Sequence, residues 1–335
     1  MMHLAVMPAL AEDSALSNLN HLLEAELSRW PAHTGLYVKH LGTGEQARIR
    51  AQERFESAST IKVAIMVRAF QLADENKLDL TSRHELTAGD YRGGSGILKY
   101  SDLGLKLTLH DMITQMIITS DNTATDIMVA KVGGREKLNE FLREAGYKAL
   151  KLNRTTHEFF RQSLEAIDPK FGRLSPEQVF AIGADRPAFT EPYRDLIAQV
   201  KTAEERAGES RARHNDDETK WFGVATPAEM GALLEGIERC TLATRQSCED
   251  MKRILRAQQV THKIPHYLSV PAGNKTGDTG SVTNDVGIIY SLSGPIVMAS
   301  YNMDIKGQRT ELDDCIGALA RRVVDYFDGG PKQAR

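Results

Sequence analysis

A chain of 335 residues is long enough for one large domain or two modest ones, and its 41% hydrophobic and 26% charged content is ordinary for a globular protein. A net charge of −3 supplies no basic face or stripe of the kind nucleic acid demands, and it does not favour an anionic membrane surface. No run approaches the roughly 18 uninterrupted apolar residues of a membrane span.

The chain begins MMHLAVMPALAEDS, with Ala9 and Ala11 in the A-x-A spacing of a signal-cleavage site and Glu12 following. The apolar stretch is short and no Lys or Arg precedes it. Residues 1–12 are therefore either a signal remnant or a disordered tail, and the first reading makes the protein periplasmic or secreted. Residues 14–30 carry Leu19, Leu22, Leu23, Ala25 and Leu27 on or near one stripe behind Ser14 as N-cap, and predict an amphipathic helix. Residues 35–41 and 46–50 predict two strands around the turn GTGE. Residues 60–76, TIKVAIMVRAFQLADEN, are apolar almost all round and predict a buried helix.

More helix is expected at 108–132, at about 136–145 and at 176–184. From 190 to 220 the composition turns charged and polar, which suits a solvated helix or a mobile insert. Thr226-Pro227-Ala228-Glu229 is a helix start, with an N-cap Thr, a Pro in the first turn and a Glu at the third position. Helices then occupy roughly 227–240 and 247–258. The stretch between them holds Cys240 and Cys248, either a disulfide across a turn or two free thiols; with Cys315 they make no C-x-x-C pair. Residues 283–291 and 295–303 predict two apolar strands around a Leu-Ser-Gly turn, and a final helix runs from about 309 to 327.

Both ends of the chain thus feed one sheet, which predicts antiparallel strands with the terminal helices packed on them and a helical middle forming a second lobe. The expected division is a sheet lobe of residues 13–60 and 270–330 and a helical lobe of 61–269, with an unusual insert at about 160–225, all within one catalytic domain of 13–330. A cleft between two such lobes is a natural place for a site.

Three short motifs carry chemistry. In Ser59-Thr60-Ile61-Lys62 the spacing i, i+3 sets a hydroxyl and an amine on one helical face. A serine is a poor nucleophile until a base takes its proton, and a lysine serves as that base once burial or positive neighbours depress its pKa. The helix start favours developing negative charge, and the Ser59 N–H can donate to an oxyanion. About one S-x-x-K is expected by chance in such a chain, so the motif alone decides nothing. In Ser120-Asp121-Asn122 the plain interpretation is a helix that ends and restarts with Asp or Asn as cap. The functional one makes Ser120 a proton shuttle and gives Asn122 an amide for a substrate carbonyl. In Lys275-Thr276-Gly277, either a Gly-rich turn leads into a strand, or Thr276 offers a hydroxyl while Gly277 admits a ligand to the backbone and Asp278 N–H becomes a second oxyanion donor. No histidine set suggests a metal: His262 and His266 are four apart, but Pro265 lies between them.

The order and spacing of the three motifs are another matter, for S-x-x-K, S-D-N and K-T-G in that sequence form the signature of class A β-lactamases and penicillin-binding proteins. With GGSGILKY, LTLHDMITQMIITSDNTATDIM, TPAEMGALLEGI and KTGDTGSVTND around them, residues 35–327 resemble that superfamily, most closely its class A branch. The resemblance implies an α+β two-lobe fold and a serine hydrolase that needs no cofactor. Ser59 would be the acylated nucleophile and Lys62 its proton partner, with Ser120 relaying a proton to the departing nitrogen and Asn122 holding the substrate's side-chain amide. Lys275 would supply a positive field for a substrate carboxylate that Thr276 hydrogen-bonds, and the N–H groups of Ser59 and Asp278 would form the oxyanion hole. The substrate would be a β-lactam or a peptidoglycan-like peptide.

The departures matter equally. Class A enzymes activate the water that frees the acyl group with a glutamate in an E-x-x-x-N pattern. Counted from Leu152 and Arg154, that position holds Thr156; Glu158 follows two residues on, and no Asn stands at the family spacing. The stretch from there to Thr226 is also far longer than usual. Deacylation is therefore altered, taken over by Glu158, or absent, and a branch of class A-like penicillin-binding proteins also lacks this glutamate. The Asp278 side chain would repel carboxylate substrates if it pointed inward. Three activities stay open: a β-lactamase-like hydrolase, a D,D-peptidase or esterase, and a sensor that is acylated and stays so.

Overall fold

The computed structural model describes residues 18–207 and 217–329. The expected tail at 1–12, the N-cap Ser14 and part of the charged stretch lie outside the described residues. In chain order the elements are α1 (Asn18–Leu27), β1 (His33–His40), β2 (Gln46–Ile49), β3 (Phe55–Glu56), a 3-10 turn (Ala58–Ile61), α2 (Lys62–Asp74), β4 (Arg83–Glu85), β5 (Lys106–Thr108), α3 (Leu109–Ile118), α4 (Asn122–Lys131), α5 (Gly134–Glu144) and β6 (Lys151–Leu152). There follow α6 (Thr156–Glu165), α7 (Pro176–Gly183), α8 (Pro187–Thr190), α9 (Arg194–Ala207), β7 (Gly223–Ala225), α10 (Pro227–Glu238), α11 (Arg245–Arg256), β8 (Ala272–Asp278), β9 (Thr283–Ser291), β10 (Gly294–Met303) and α12 (Arg309–Phe327).

The main sheet is antiparallel in the order β2-β1-β10-β9-β8. Strand alternation sorts its side chains. Leu36 and Val38 of β1 face one way, into an apolar cluster with Leu19, Leu23 and Leu27 of α1 and Leu312, Ile316 and Val323 of α12. Tyr37 faces the other way, into the larger core with α2, α3, α4, α10 and α11. Helices on both faces explain why β9 and β10 are buried along most of their length, polar residues included, rather than on alternate residues. The expected two-lobe α+β architecture is therefore present, although the middle of the chain is not purely helical. It also carries the small sheets β3-β7-β6 and β4-β5.

Three local outcomes differ from the sequence expectations. The helix expected at 108–132 is two helices, because Ser120 adopts a left-handed conformation (φ 55°) and Asp121 caps α4 by accepting from Ala124 N–H at 2.9 Å. The helix expected from residue 60 begins as a 3-10 turn at Ala58. At the start of α10, Thr226 caps as expected, but the Glu229 carboxylate turns outward from its own helix. It accepts from the backbone N–H groups of Lys148, Ala149 and Leu150 at 2.7–3.1 Å. The three cysteines are free thiols. Cys240 and Cys248 each lean toward a backbone carbonyl of the turn between them, Arg245 O and Ala243 O. Burial, then the neighbouring Cys240, pushes the Cys248 thiol up to about 12.

Candidate active site

Ser59 sits inside the 3-10 turn and Lys62 is the first residue of α2. In a 3-10 turn residues three apart eclipse, so the two side chains project the same way. The turn is held from several sides. Ser57 N–H donates to Gly223 O of β7 at 2.8 Å, Asn284 Nδ2 of β9 donates to Glu56 O at 2.9 Å, and Thr60 Oγ1 donates to Ser57 O at 2.7 Å. Ala58, directly before the serine, is held at φ 43°. Such left-handed non-glycine residues cost about 1–3 kcal/mol and persist where the surroundings over-determine them.

The free edge of β8 lies against this turn. A Cβ on Gly277 would stand 2.7 Å from Ser57 O and 3.0 Å from Thr60 N, so only glycine lets the strand's backbone come this close. The approach sets β8, which carries Lys275, Thr276 and Asp278, against the turn that carries Ser59.

Lys62 is wholly buried, and its Nζ donates to Ser120 O (2.7 Å), Ser120 Oγ (3.2 Å) and Asn122 Oδ1 (2.9 Å); none of the three bonds goes to Ser59. Lys275, also wholly buried, donates to Ser120 Oγ at 3.0 Å and to Thr276 O at 2.7 Å. The three motifs therefore meet at one hydroxyl, that of Ser120, which lies between two amines. Burial, with the charge of Lys275 as the second cause, holds Lys62 well below the usual lysine range. Burial also lowers Lys275, to about 7, against the opposing pull of Asp278 and Asp285. A neutral Lys62 has two N–H donors and one lone pair, so one of its three partners can hand it a proton instead of receiving one.

Asn122 Nδ2 donates to Gly93 O at 2.9 Å and keeps a second N–H for a ligand. The loop behind it is seated on the second motif. Asn122 N–H donates to Ser95 O, Leu98 N–H donates to Asp121 Oδ2, and Gly96 (φ 109°) leaves no room for a Cβ against the Asp121 carboxylate.

The remaining expected residues are placed differently. Thr156, where the motif count puts the family glutamate, is buried at the start of α6; its N–H donates to Asp126 Oδ1 at 2.7 Å and its hydroxyl has no hydrogen-bond partner among the described residues. Asp126 is one helical turn beyond Asn122 and also pairs with Arg92 at 2.6 Å. Glu158 closes a capping box with Thr155 and pairs with Arg135 at 3.0 Å, so its carboxylate is committed at the helix start. The Asp278 side chain is tied to Lys263 at 2.6 Å and to Thr283 at 2.8 Å.

Two groups escaped the sequence reading. Lys263 is wholly buried, although its setting THKIPHY reads as exposed. Glu56, three residues before Ser59, is buried in what reads as a charged surface stretch, ERFES. Burial raises the Glu56 carboxyl to about 7, against hydrogen bonds from Phe222 N–H and the Thr279 side chain. Among the described residues no group of three or more His, Cys, Asp or Glu could hold a metal, and no helix is long and apolar enough to cross a membrane.

Comparison with known proteins bears on the family and the fold. The β-lactamase CARB-4 of Pseudomonas aeruginosa is 31% identical over 137 residues, 41% of this chain and 46% of that protein. The chain thus matches just under half the length of such curated relatives. The crystal structure of a β-lactamase from Sphaerobacter thermophilus superposes with a TM-score of 0.69 at 24% identity, covering 95% of this chain and all of that one. A mutant of PBP-A, solved as an acyl-enzyme complex with penicillin G, superposes with a TM-score of 0.71 at 21% identity, covering 96% and 100%. At such identities the two structures speak for the fold alone. The β-lactamase enzyme family, by contrast, matches in sequence from residue 18 to residue 327, and the chain belongs to that family.

Proposed function

We propose that this protein is a serine hydrolase that forms an acyl-enzyme at Ser59 with β-lactams or related amides and esters, working in the periplasm or outside the cell. The observation that carries this reading is the Ser120 hydroxyl held 3.2 Å and 3.0 Å from two wholly buried lysines. In the first step neutral Lys62 takes the Ser59 proton while Oγ bonds to the carbonyl carbon. The carbonyl electron pair moves onto oxygen, where the N–H groups of Ser59 and Asp278 receive it. In the second step the carbonyl re-forms and the C–N bond breaks. The departing nitrogen takes the Ser120 proton, and Lys62 returns a proton to Ser120. Asn122 offers its free N–H to the substrate's side-chain amide, and Lys275 with Thr276 attracts an anionic group. Water then hydrolyses the ester.

A specific observation favours a second reading, a peptidase-like or sensor-like protein whose ester persists. Thr156 stands where the family glutamate is expected, and Glu158 is bound to Arg135 and the Thr155 N–H. Intact mass spectrometry after mixing with a penicillin separates the two: a transient adduct supports the hydrolase and a lasting one the second reading. Ser59→Ala is expected to remove the adduct. Absence of any adduct, or an adduct on the alanine variant, overturns the assignment of Ser59.

A further inference from the structure

Asp278 ends β8, one residue beyond the point where Gly277 touches the backbone of the nucleophile turn. Its side chain is 37% exposed, whereas Lys263 behind it is wholly buried. Lys263 Nζ donates to Asp278 Oδ1 at 2.6 Å and to Asn284 O at 3.3 Å, with Asp313 Oδ1 at 3.6 Å. The Thr283 hydroxyl is shared between Asp278 Oδ1 (2.8 Å) and Asp313 Oδ1 (2.7 Å), and Arg309 Nη1 lies 3.8 Å from Asp278 Oδ1. Burial alone would raise the Asp278 carboxyl; Lys263 foremost, then Thr283 and Arg309, keep it below the usual carboxylate range. It is an anion at neutral pH.

A buried ammonium needs a counter-charge close by, and of the carboxylates around Lys263 that of Asp278 is the nearest, at 2.6 Å, with Asp313 at 3.6 Å. The geometry is that of an anion seat beside the strand that flanks Ser59: a buried cation, a hydroxyl donor and a guanidinium. The occupant is a carboxylate of the chain itself. A substrate carboxylate brought to this strand by Lys275 and Thr276 would find Lys263 and Arg309 already paired with Asp278, and it would face a like charge.

We propose that Asp278 is a specificity-determining residue that fills the anion seat beside β8, so that the site prefers neutral acyl donors, esters or amides without a carboxylate near the scissile bond, over their anionic counterparts. The idea rests on acylation of Ser59. The experiment compares the second-order acylation rate of penicillin G with that of its methyl ester, in the wild-type protein and in Asp278→Asn and Asp278→Ser. Both variants remove the charge; Asn keeps the shape and Ser keeps a hydroxyl. The anion-to-ester rate ratio is expected to rise by about tenfold or more in both. The ratio is taken within one sample, so partial loss of folded protein cancels from it, and a purely structural role would move both donors together. A ratio unchanged in both variants overturns the proposal. Failure of both donors to label Ser59 in the wild-type protein overturns the acylation reading instead.

Discussion

Two regions joined through α4, the surroundings of Ser120 and the start of α6, differ sharply in how completely their polar atoms are engaged. Around Ser120, both lysine amines and the Asn122 amide oxygen are hydrogen-bonded at 2.7–3.2 Å. At the start of α6 the opposite holds. Of the five buried side-chain polar atoms without a protein partner among the described residues, four lie there: Arg154 Nε, Thr156 Oγ1, His157 Nδ1 and Arg161 Nε. Closed networks hold side chains at one geometry, as bond-making chemistry demands. Buried polar atoms without a protein partner are where water is usually held. On the proposed reading, the contrast makes the equipment for forming the ester and the equipment for breaking it separate constructions, of which only the first keeps the residues that the resemblance implies.

Four experiments strain that contrast. The largest effect is expected from Lys62→Met, which removes the proposed base. Acylation measured by intact mass should slow by about 10²–10⁴-fold, and a wild-type rate would show that the lysine network is not the acylating machinery. Thr156→Glu puts a carboxylate at the other region. It should shorten the lifetime of the penicillin adduct by about tenfold or more with little change in its formation; an unchanged lifetime would deny that this position governs release.

A smaller effect is expected from Glu56→Gln, read as stability against pH. The Glu56 carboxyl is raised from 4.5 to about 7 in the folded chain. Between those values the folded state binds more protons than the unfolded one. Its contribution is therefore full below about pH 4.5 and is lost as the pH climbs through 7. The variant should show a flatter fall of Tm between pH 5 and 8; an equal slope would remove Glu56 from the account. The smallest effect is expected from Glu158→Gln, because Gln can still close the capping box and only the pair with Arg135 is weakened, worth about 0.5 kcal/mol. Adduct lifetime should not move, and a longer one would return Glu158 to the release step.

What the sequence made legible follows from how local each signal is. Strand β9 and helix α12 lie where apolar patterning put them, at 283–291 and 309–327, since both are long and strongly patterned. The break at Ser120 was visible as a capping signal in S-D-N, but not as a left-handed serine, because nothing in a Ser codes for that conformation. The motif residues could be paired by order and spacing. Their actual meeting point, one hydroxyl between two amines, depends on β8 closing over the turn from more than 200 residues away. Lys263 and Glu56 were invisible for the same reason: a charged residue is buried by partners distant in sequence, here Asp278 and Thr279, so its neighbours in the chain say nothing.

The pairing of β6 with β7, Lys151 to Val224 and Leu152 to Gly223, brings the two ends of the intervening stretch side by side. The stretch between them leaves and returns at this one place, which Glu229 steadies by grasping the backbone of Lys148 to Leu150, while Phe180 and Phe189 seat its described part against Tyr91 in the main core. Closing a loop between fixed neighbours depends only weakly on its length. The length of that stretch can therefore change at little cost, so long as the residues that seat it keep their places, Thr156 on Asp126 and Phe180 and Phe189 on Tyr91.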